Sequence, residues 1–280
     1  MFDQLLQLWL TLRVAQTQRY FLELSYDGTR YHGWQSQPNA VGVQQLINEA
    51  LSTVLRAEIE TTGCGRTDTG VHARQFFAHF EAPQPPEGGA STPEKETGNS
   101  QLTTHNSLLR SLNSLLPHDI AIKRMIPVAA DAHARFDATL RSYQYHIHFE
   151  KDPFLNNFSW QLRDRPDVAL MNEAAAIIME YTDFSCFSKS NTQVKTNNCK
   201  IARVEWVEQD DNLVFHISAD RFLRNMVRAI VGTLLMVGNK EIAPWEVRNI
   251  IESKNRSKAG TSVPACGLYL TEVRYPYLAP

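Results

Sequence analysis

Two stretches of the chain carry apolar residues with the spacing of an amphipathic helix. In the first, apolar side chains recur at i, i+3, i+4, i+7 and i+8 from Val43 to Leu55. In the second, the same spacing runs from Leu223 to Leu235. Because residues with this spacing share one face of a helix, each pattern predicts a helix that lays its apolar face on a sheet.

Eight shorter runs are typical of β-strands, with alternating or β-branched and aromatic residues. They are Tyr20–Tyr26, Glu58–Thr62, Gln75–Phe80, Ile120–Ile126, Tyr143–Phe149, Ile201–Val207, Leu213–Ala219 and Leu268–Tyr275. Strands interleaved with single helices and joined by short links favour an α+β fold with a largely antiparallel sheet.

Composition and charge limit the kinds of function that the chain can have. The 280 residues are 43% apolar, which is enough for one large domain or two of ordinary size. With 28 basic and 30 acidic residues the net charge is −2, so a nucleic-acid site has to be a local basic patch. Four scattered cysteines lack zinc-binding spacing and indicate reduced thiols in a cytoplasmic protein without a metal site.

Two segments differ in composition from the rest of the chain. Residues 1–18 contain an apolar cluster without a basic start or a small-residue cleavage site, so we interpret them as an N-terminal extension rather than a signal peptide. Residues 82–106 are rich in Pro, Gly, Ser, Thr, Glu and Asn, a composition that predicts a flexible surface insertion. No run reaches the roughly 20 apolar residues of a membrane span.

The sequence Gly65-Arg-Thr-Asp-Thr-Gly-Val-His-Ala73 is the strongest candidate for chemistry. Its glycines supply backbone freedom after a strand-like run, which places Asp68 on a loop at a strand end. The pattern alone leaves two roles open for Asp68, a reactive carboxylate or a turn residue that binds its own backbone. The flanking Cys64 and His72 leave a third possibility, a thiol- or carboxylate-dependent hydrolase.

This loop and six further motifs, in the same order, resemble the TruA family (tRNA pseudouridine synthase I). The further motifs are Tyr26-Asp-Gly-Thr-Arg-Tyr-His-Gly-Trp-Gln35, Asn113–Ile120, His133-Ala-Arg-Phe136, Arg141-Ser-Tyr-Gln-Tyr145, Phe222-Leu-Arg-Asn-Met-Val-Arg228 and Gly267-Leu-Tyr-Leu270. Together they span most of the chain, from Tyr26 to Leu270.

The resemblance implies a fold, an activity and partners. The fold would be two ferredoxin-like halves, residues 19–135 and 136–280, whose sheets meet at a central catalytic cleft. The activity would be isomerisation of uridine to pseudouridine in the anticodon stem-loop of tRNA, at tRNA nucleotides 38 to 40. The partners would be tRNA and a second copy of the chain in a homodimer. Since the reaction has no net redox change, neither a cofactor nor a metal is expected.

The resemblance also implies roles for individual residues. Asp68 matches the catalytic carboxylate, as nucleophile or base, and Arg228 matches its ion-pair partner. Arg66 matches an arginine that displaces the nucleotide, although an arginine at this position could instead form a loop-stabilising ion pair. Tyr143 matches a tyrosine that stacks on the target base. Leu268 matches an apolar residue of the same pocket.

A basic stripe supplies the remaining candidates. Arg221, Arg224 and Arg228 fall at i, i+3 and i+7, which predicts that they share one helix face. The pattern alone is also typical of a solvated basic face, whereas the resemblance favours Arg221 and Arg224 as phosphate contacts. A non-catalytic RNA-binding protein built on ferredoxin-like modules is the alternative from another class of function.

Overall fold

The structure, a computed structural model, describes residues 17–83, 99–188 and 196–278, and describes only the backbone of residues 99–105. Within these residues the chain forms nine β-strands and five α-helices. The strands are β1 (Thr17–Tyr26), β2 (Thr62–Gly63), β3 (His72–Pro83), β4 (Ile120–Pro127), β5 (Leu140–His148), β6 (Trp160–Gln161), β7 (Ile201–Gln209), β8 (Asn212–Ala219) and β9 (Leu268–Arg274). The helices are α1 (Val43–Leu55), α2 (Asn99–Leu115), α3 (Val168–Ile178), α4 (Met226–Gly238) and α5 (Glu246–Glu252), with 3-10 turns at Ser185–Phe187, Arg256–Lys258 and Ala265–Gly267.

All the strands belong to one mixed sheet with the order β4-β1-β3-β9-β5-β8-β7. Short strand β2 pairs with β3, and β6 pairs with β5. The pairs β3–β9 and β5–β6 are parallel and the others are antiparallel. This confirms the predicted α+β architecture with a mostly antiparallel sheet.

Buried apolar side chains form two clusters along this sheet. The first includes Phe21, Trp34 and Ile47 and covers the β4-β1-β3 part of the sheet together with α1. The second includes Tyr145, Phe215 and Ile230 and covers β5, β8 and β7 together with α3 and α4. The loop with Asp68 precedes β3, and Arg228 lies on α4, so the candidate residues come from both parts of the sheet.

The predicted strand Glu58–Thr62 is wrong except at its last residue. Only Thr62 and the following Gly63 pair with β3. Before them, side chains of α1 take the backbone hydrogen bonds: the N–H of Ile59 donates to Ser52 Oγ, and the N–H of Thr61 donates to Asn48 Oδ1 at 3.0 Å. Because these groups are satisfied by a helix, the segment does not need a neighbouring strand.

The second predicted helix begins later than its apolar pattern. The pattern starts at Leu223, whereas α4 starts at Met226 after Asn225, whose φ of 65° is left-handed. Asparagine tolerates this conformation better than most residues. Arg221 and Arg224 therefore precede the helix, and the prediction that they share a helix face with Arg228 is wrong.

The predicted insertion, residues 82–106, extends too far in both directions. Ala82 and Pro83 end β3, and α2 begins at Asn99. Residues 84–98 lie outside the described part of the chain, as does most of the predicted extension, residues 1–18. The polar composition around 100–107 concealed the apolar stripe of α2, which buries Leu112 completely in the first cluster.

Candidate active site

The loop that carries Asp68 connects β2 to β3 and rests on residues 28–34. Gly33 has a φ of 86°, and a Cβ at this position would lie 2.2 Å from the Thr67 carbonyl oxygen. Only glycine can combine this conformation with so close a contact. The hydroxyls of Thr67 and Tyr26 lie 2.9 Å apart, and the N–H of Gly70 donates to the Tyr31 carbonyl at 3.2 Å. Two of the motifs thus form one substructure, in which the first supports the second.

The Asp68 carboxylate faces two guanidinium groups that are distant in sequence. Arg224 Nε lies 3.4 Å from Asp68 Oδ1, and Arg228 Nη1 lies 3.9 Å from Asp68 Oδ2. The side chain of Asp68 is 23% exposed, compared with 21% for Arg228 and 61% for Arg224. Within the described residues this carboxylate makes no hydrogen bond to its own backbone, so the turn-residue interpretation does not account for it.

The backbone after α5 fixes the orientation of Arg228. Arg228 Nε donates to the Val263 carbonyl at 2.7 Å, and the N–H of Val263 donates to the Arg228 carbonyl. This segment lies directly on α4, because a Cβ on Gly232 would come within 1.9 Å of the Thr261 carbonyl oxygen. Packing between α4 and residues 260–263 therefore positions the guanidinium that faces Asp68.

Tyr143 lies on β5 close to the Asp68 loop. Its ring is 5.1 Å from the ring of Phe222 at 86°, an edge-to-face pair. Burial raises the pKa of the Tyr143 hydroxyl, and the negative charge of Asp68 contributes to the increase. Tyr145, the next residue on the same side of the strand, is completely buried, as the alternation predicts.

Leu268 is less accessible than a pocket residue needs to be. It pairs with Tyr145 in the β5–β9 ladder and is only 6% exposed. In this structure Leu268 belongs to the second apolar cluster, and its contact with a substrate remains a prediction.

Arg66 and Arg221 lie on the rim of the site rather than against Asp68. Arg66 is exposed and forms no ion pair or hydrogen bond with any described residue. The predicted alternative for Arg66, a loop-stabilising ion pair, is thus absent from the part of the chain that the structure covers. Arg221 donates to the Thr196 carbonyl at 3.2 Å. Both are near Arg135, whose pKa is lowered by desolvation and by the charges of Arg66, Arg141 and Arg221.

Arg141 is a buried arginine that connects the segments around the site. It is 8% exposed and donates to four backbone carbonyls. The acceptors are Cys64 at 2.8 Å, Arg135 at 2.7 Å, Asp220 at 2.8 Å and Ala138 at 3.3 Å. No carboxylate of a described residue forms an ion pair with it. One guanidinium thus joins the Asp68 loop, the turn containing Arg135, and the segment leading to Arg224.

Cys64 and His72 do not form a thiol catalytic pair. Cys64 is completely buried, and burial raises its pKa to about 11. His72 Nδ1 accepts from the N–H of Gly28 at 3.1 Å, and its Nε2 lies 3.0 Å from the Asn157 carbonyl. Burial lowers the pKa of His72 despite the neighbouring Asp27. With the thiol inaccessible and both ring nitrogens of His72 engaged elsewhere, a thiol-dependent hydrolase loses its nucleophile and its base, and the carboxylate-dependent form keeps only Asp68.

Sequence reasoning assigned no role to Arg135, Phe136, Arg141 or Phe222, although all four stand within the quoted motifs. One signal could have identified Arg141. It alternates with Tyr143 and Tyr145 on the core-facing side of a predicted strand, where a charged residue requires specific partners.

The described residues form neither a metal-binding cluster nor a membrane-spanning helix. No cluster of three or more His, Cys, Asp or Glu side chains could hold a metal ion there. Likewise, no helix in that part of the chain is long and apolar enough to cross a bilayer.

Comparison with known proteins gives a consistent result. The family model described as tRNA pseudouridine synthase matches residues 181–276. A protein named tRNA pseudouridine synthase A from Porphyromonas gingivalis is 49% identical over 92% of this chain and 97% of its own length. Proteins of the same name from Bacteroides fragilis and Clostridium acetobutylicum are 48% and 38% identical, over 92% and 91% of this chain and 97% and 98% of their own lengths. The chain therefore belongs to the tRNA pseudouridine synthase A family.

Proposed function

We propose that this protein isomerises uridine to pseudouridine in the anticodon stem-loop of tRNA and that Asp68 is its catalytic carboxylate. The observation that carries the proposal is the position of the Asp68 carboxylate, opposite Arg224 and Arg228. Identity of 49% to a relative named for this activity supports the assignment.

The proposed reaction breaks the bond between uracil N1 and ribose C1′ and forms a bond between C5 and C1′. The C5 proton leaves and N1 gains a proton, so atoms and electrons balance without a redox partner. Asp68 acts either as a nucleophile or as the base that removes a ribose proton. Arg228 and Arg224 orient its carboxylate, and the ring of Tyr143 packs against the displaced base.

The target nucleotide has to leave the helix stack before its glycosidic bond can be reached. We assign Arg66 to this step because its exposed guanidinium has no partner among the described residues. Arg221 and Arg224 then contact the backbone phosphates, where guanidinium groups bind well. Leu268 would contact the base only if substrate binding exposes it, because it is 6% exposed in this structure.

Substitution of Asp68 by Asn tests the assignment. With tRNA carrying tritium at uridine C5, Asp68→Asn should reduce tritium release to background while changing the Kd for tRNA less than about threefold. Asp211→Asn is the matched control, because the Asp211 side chain is 96% exposed in the β7–β8 turn. Tritium release by Asp68→Asn at the wild-type rate would reject Asp68.

The binding-protein alternative predicts a different result in cells. If the protein only binds RNA, tRNA from cells that lack it keeps its pseudouridine. If it is the synthase, pseudouridine disappears from specific anticodon-arm positions, and mapping these positions identifies the substrates.

We also propose two ferredoxin-like halves, residues 19–135 and 136–280, a homodimer, and a cytoplasmic location. The two apolar clusters support the halves in the main, although β9 contributes Leu270 and Val273 to the first cluster and Val71 belongs to the second. The parallel contact between β3 and β9, through which the two parts of the sheet join, consists of only two residue pairs.

Sedimentation analysis tests the homodimer, and a monomer at working concentration would contradict it.

A further inference from the structure

A turn beside the site presents an exposed aromatic ring. The turn comprises residues 133–137, and Phe136 within it is 74% exposed. His133 Nδ1 accepts from the N–H groups of Arg135 and Phe136 at 3.1 and 3.3 Å. The N–H of His133 in turn donates to Asp137 Oδ2 at 2.7 Å. The backbone that carries Phe136 is thus fixed by its own side chains.

The same turn is attached to the core of the protein. The N–H of Ala134 donates to His79 Nδ1 at 3.1 Å, and the hydroxyl of Tyr275 donates to the Ala134 carbonyl at 2.5 Å. The hydroxyl of Tyr277 donates to Asp137 at 2.8 Å. The backbone at Phe136 is therefore fixed, and its ring lies against the ring of His133, with the two centres 4.2 Å apart. Most of Phe136 nevertheless stays in solvent, which costs hydration free energy.

A group of arginines lies on the same side of the protein as this ring, and one of them faces it. The guanidinium of Arg135 lies 5.8 Å from its centre. Arg66 and Arg221 are close enough to Arg135 to lower its pKa, together with desolvation. None of these three arginines forms an ion pair with a carboxylate in the described part of the chain. Their charges are available to an external polyanion.

The turn lies next to the loop that carries Asp68. Arg141 Nη2 donates both to the Arg135 carbonyl at 2.7 Å and to the Cys64 carbonyl at 2.8 Å. A single nitrogen atom thus connects the backbone beside Phe136 with the backbone four residues before Asp68.

We propose that Phe136 is a stacking platform for an unpaired base of the RNA substrate, next to the nucleotide that enters the Asp68 site. The inference rests on the proposed function. Stacking on an exposed aromatic ring accommodates any base, while guanidinium groups neutralise the flanking phosphates. The cations favour RNA over an apolar protein surface, because such a surface would bury Arg66, Arg135 and Arg221 without counter-charges.

The test compares four substitutions at Phe136 by their Kd for an anticodon stem-loop RNA. Phe136→Ala should weaken binding about tenfold to a hundredfold, and Phe136→Leu about as much, because Leu keeps the apolar contact but lacks a flat π face. Phe136→Tyr and Phe136→Trp should stay within about threefold of wild type. Phe154→Ala is the matched control, since Phe154 is 87% exposed and bears no cation against its ring among the described residues.

Abasic substitutions in the RNA identify the partner base. Removal of the stacked base should weaken wild-type binding as much as Phe136→Ala does, and the two changes together should have no additional effect. Unchanged binding by Phe136→Ala, or wild-type binding by Phe136→Leu, would overturn the platform. A change in oligomeric state of Phe136→Ala on sedimentation would assign the ring to a protein interface and would also overturn it.

These measurements are independent of turnover. Tritium release by the wild-type protein tests the proposed synthase activity separately. If the wild-type protein releases tritium but substitution of Phe136 leaves the Kd for RNA unchanged, only the stacking platform is rejected. If the protein releases no tritium but its Kd for RNA depends on both Phe136 and one particular base, only the synthase activity is rejected.

Discussion

At the scale of single residues, the two arginines that face Asp68 differ in how strongly solvent screens them. Arg228 is 21% exposed and also bonded to the Val263 carbonyl, whereas Arg224 is 61% exposed. Charges in water contribute little to a fixed geometry, and less exposed ones contribute more. Arg228 should therefore be the stronger positioning residue for the carboxylate.

Substitution separates the two roles. Arg228→Ala should lower the single-turnover rate at saturating tRNA by about a hundredfold, the usual effect of a misplaced catalytic group. Arg224→Ala should lower that rate less than about tenfold and should act mainly by raising the Kd for tRNA. Equal losses of rate in the two variants would contradict this division.

Another residue-scale prediction concerns acid sensitivity at His79. Burial, together with the positive charges of His133 and Arg19, lowers the pKa of His79 to about 4. Its neutral Nδ1 accepts from the N–H of Ala134. The folded protein therefore binds fewer protons than the unfolded chain between the ordinary histidine pKa, about 6.5, and pH 4. Stability is complete above this window and falls as the pH decreases through it.

The substitution His79→Asn should remove part of this dependence, because an amide oxygen replaces Nδ1 as acceptor and does not titrate. We measure the free energy of unfolding with urea at several pH values from 6.5 to 4. The slope of this free energy against pH should be smaller in the variant than in wild type by about 1 kcal/mol per pH unit. His146, whose pKa burial also lowers to about 4, should keep the remaining slope. Parallel pH profiles for the variant and wild type would exclude His79 as the source.

At the scale of secondary-structure elements, Arg141 on β5 joins segments that the sheet itself does not connect. Lysine retains the charge but offers a single nitrogen, which cannot reach four carbonyls in different directions. Arg141→Lys should lower the free energy of unfolding by about 2–3 kcal/mol, since buried carbonyls lose their donors. Urea unfolding measures this loss. Arg274→Lys is the control: Arg274 pairs with Glu272 and its side chain is 61% exposed, so the substitution should change the free energy of unfolding by less than about 0.5 kcal/mol. A loss for Arg141→Lys no larger than that of the control would refute the connecting role.

The elements also show what a sequence pattern can and cannot predict. Helix α1 follows its apolar spacing from end to end, because its pattern is strong and nothing competes with it. Where another interaction satisfies the backbone, the pattern fails: side chains of α1 replace the predicted strand before Thr62, and the left-handed Asn225 shortens α4. Helix α2 was hidden by polar residues on its exposed faces.

The candidate site depends even more on tertiary structure. Asp68 and Arg224 are 156 residues apart in the chain, and no periodicity connects them. The resemblance supplied Arg228 as the expected partner of Asp68, whereas the contact with Arg224 arises only because Asn225 turns the chain before the helix. Local pattern predicted that Asp68 lies on a loop at a strand end, which is where the structure places it.

At the scale of the whole molecule, net charge and the proposed substrate are in conflict. A chain with a net charge of −2 repels tRNA at long range, so binding has to come from a local concentration of cations. Three arginines around the Asp68 loop, Arg66, Arg135 and Arg221, provide such a concentration, and none of them forms an ion pair with the carboxylate of a described residue. Arg165 offers a contrast, because it pairs weakly with Asp211 at 3.6 Å and packs on the ring of Phe149.

Salt dependence of tRNA binding tests this distribution of charge. Each phosphate contact contributes about 0.7 to 0.9 to the slope of log Kd against log salt concentration. Arg66→Ala, Arg135→Ala and Arg221→Ala should each reduce the slope by about that amount, while Arg165→Ala should leave it unchanged. If Arg165→Ala reduced the slope as much as the others, tRNA would be bound by charges spread over the whole surface. Because the overall charge opposes binding, a slope carried by these three arginines together with Arg224, the other proposed phosphate contact, would show that this site alone recruits the substrate.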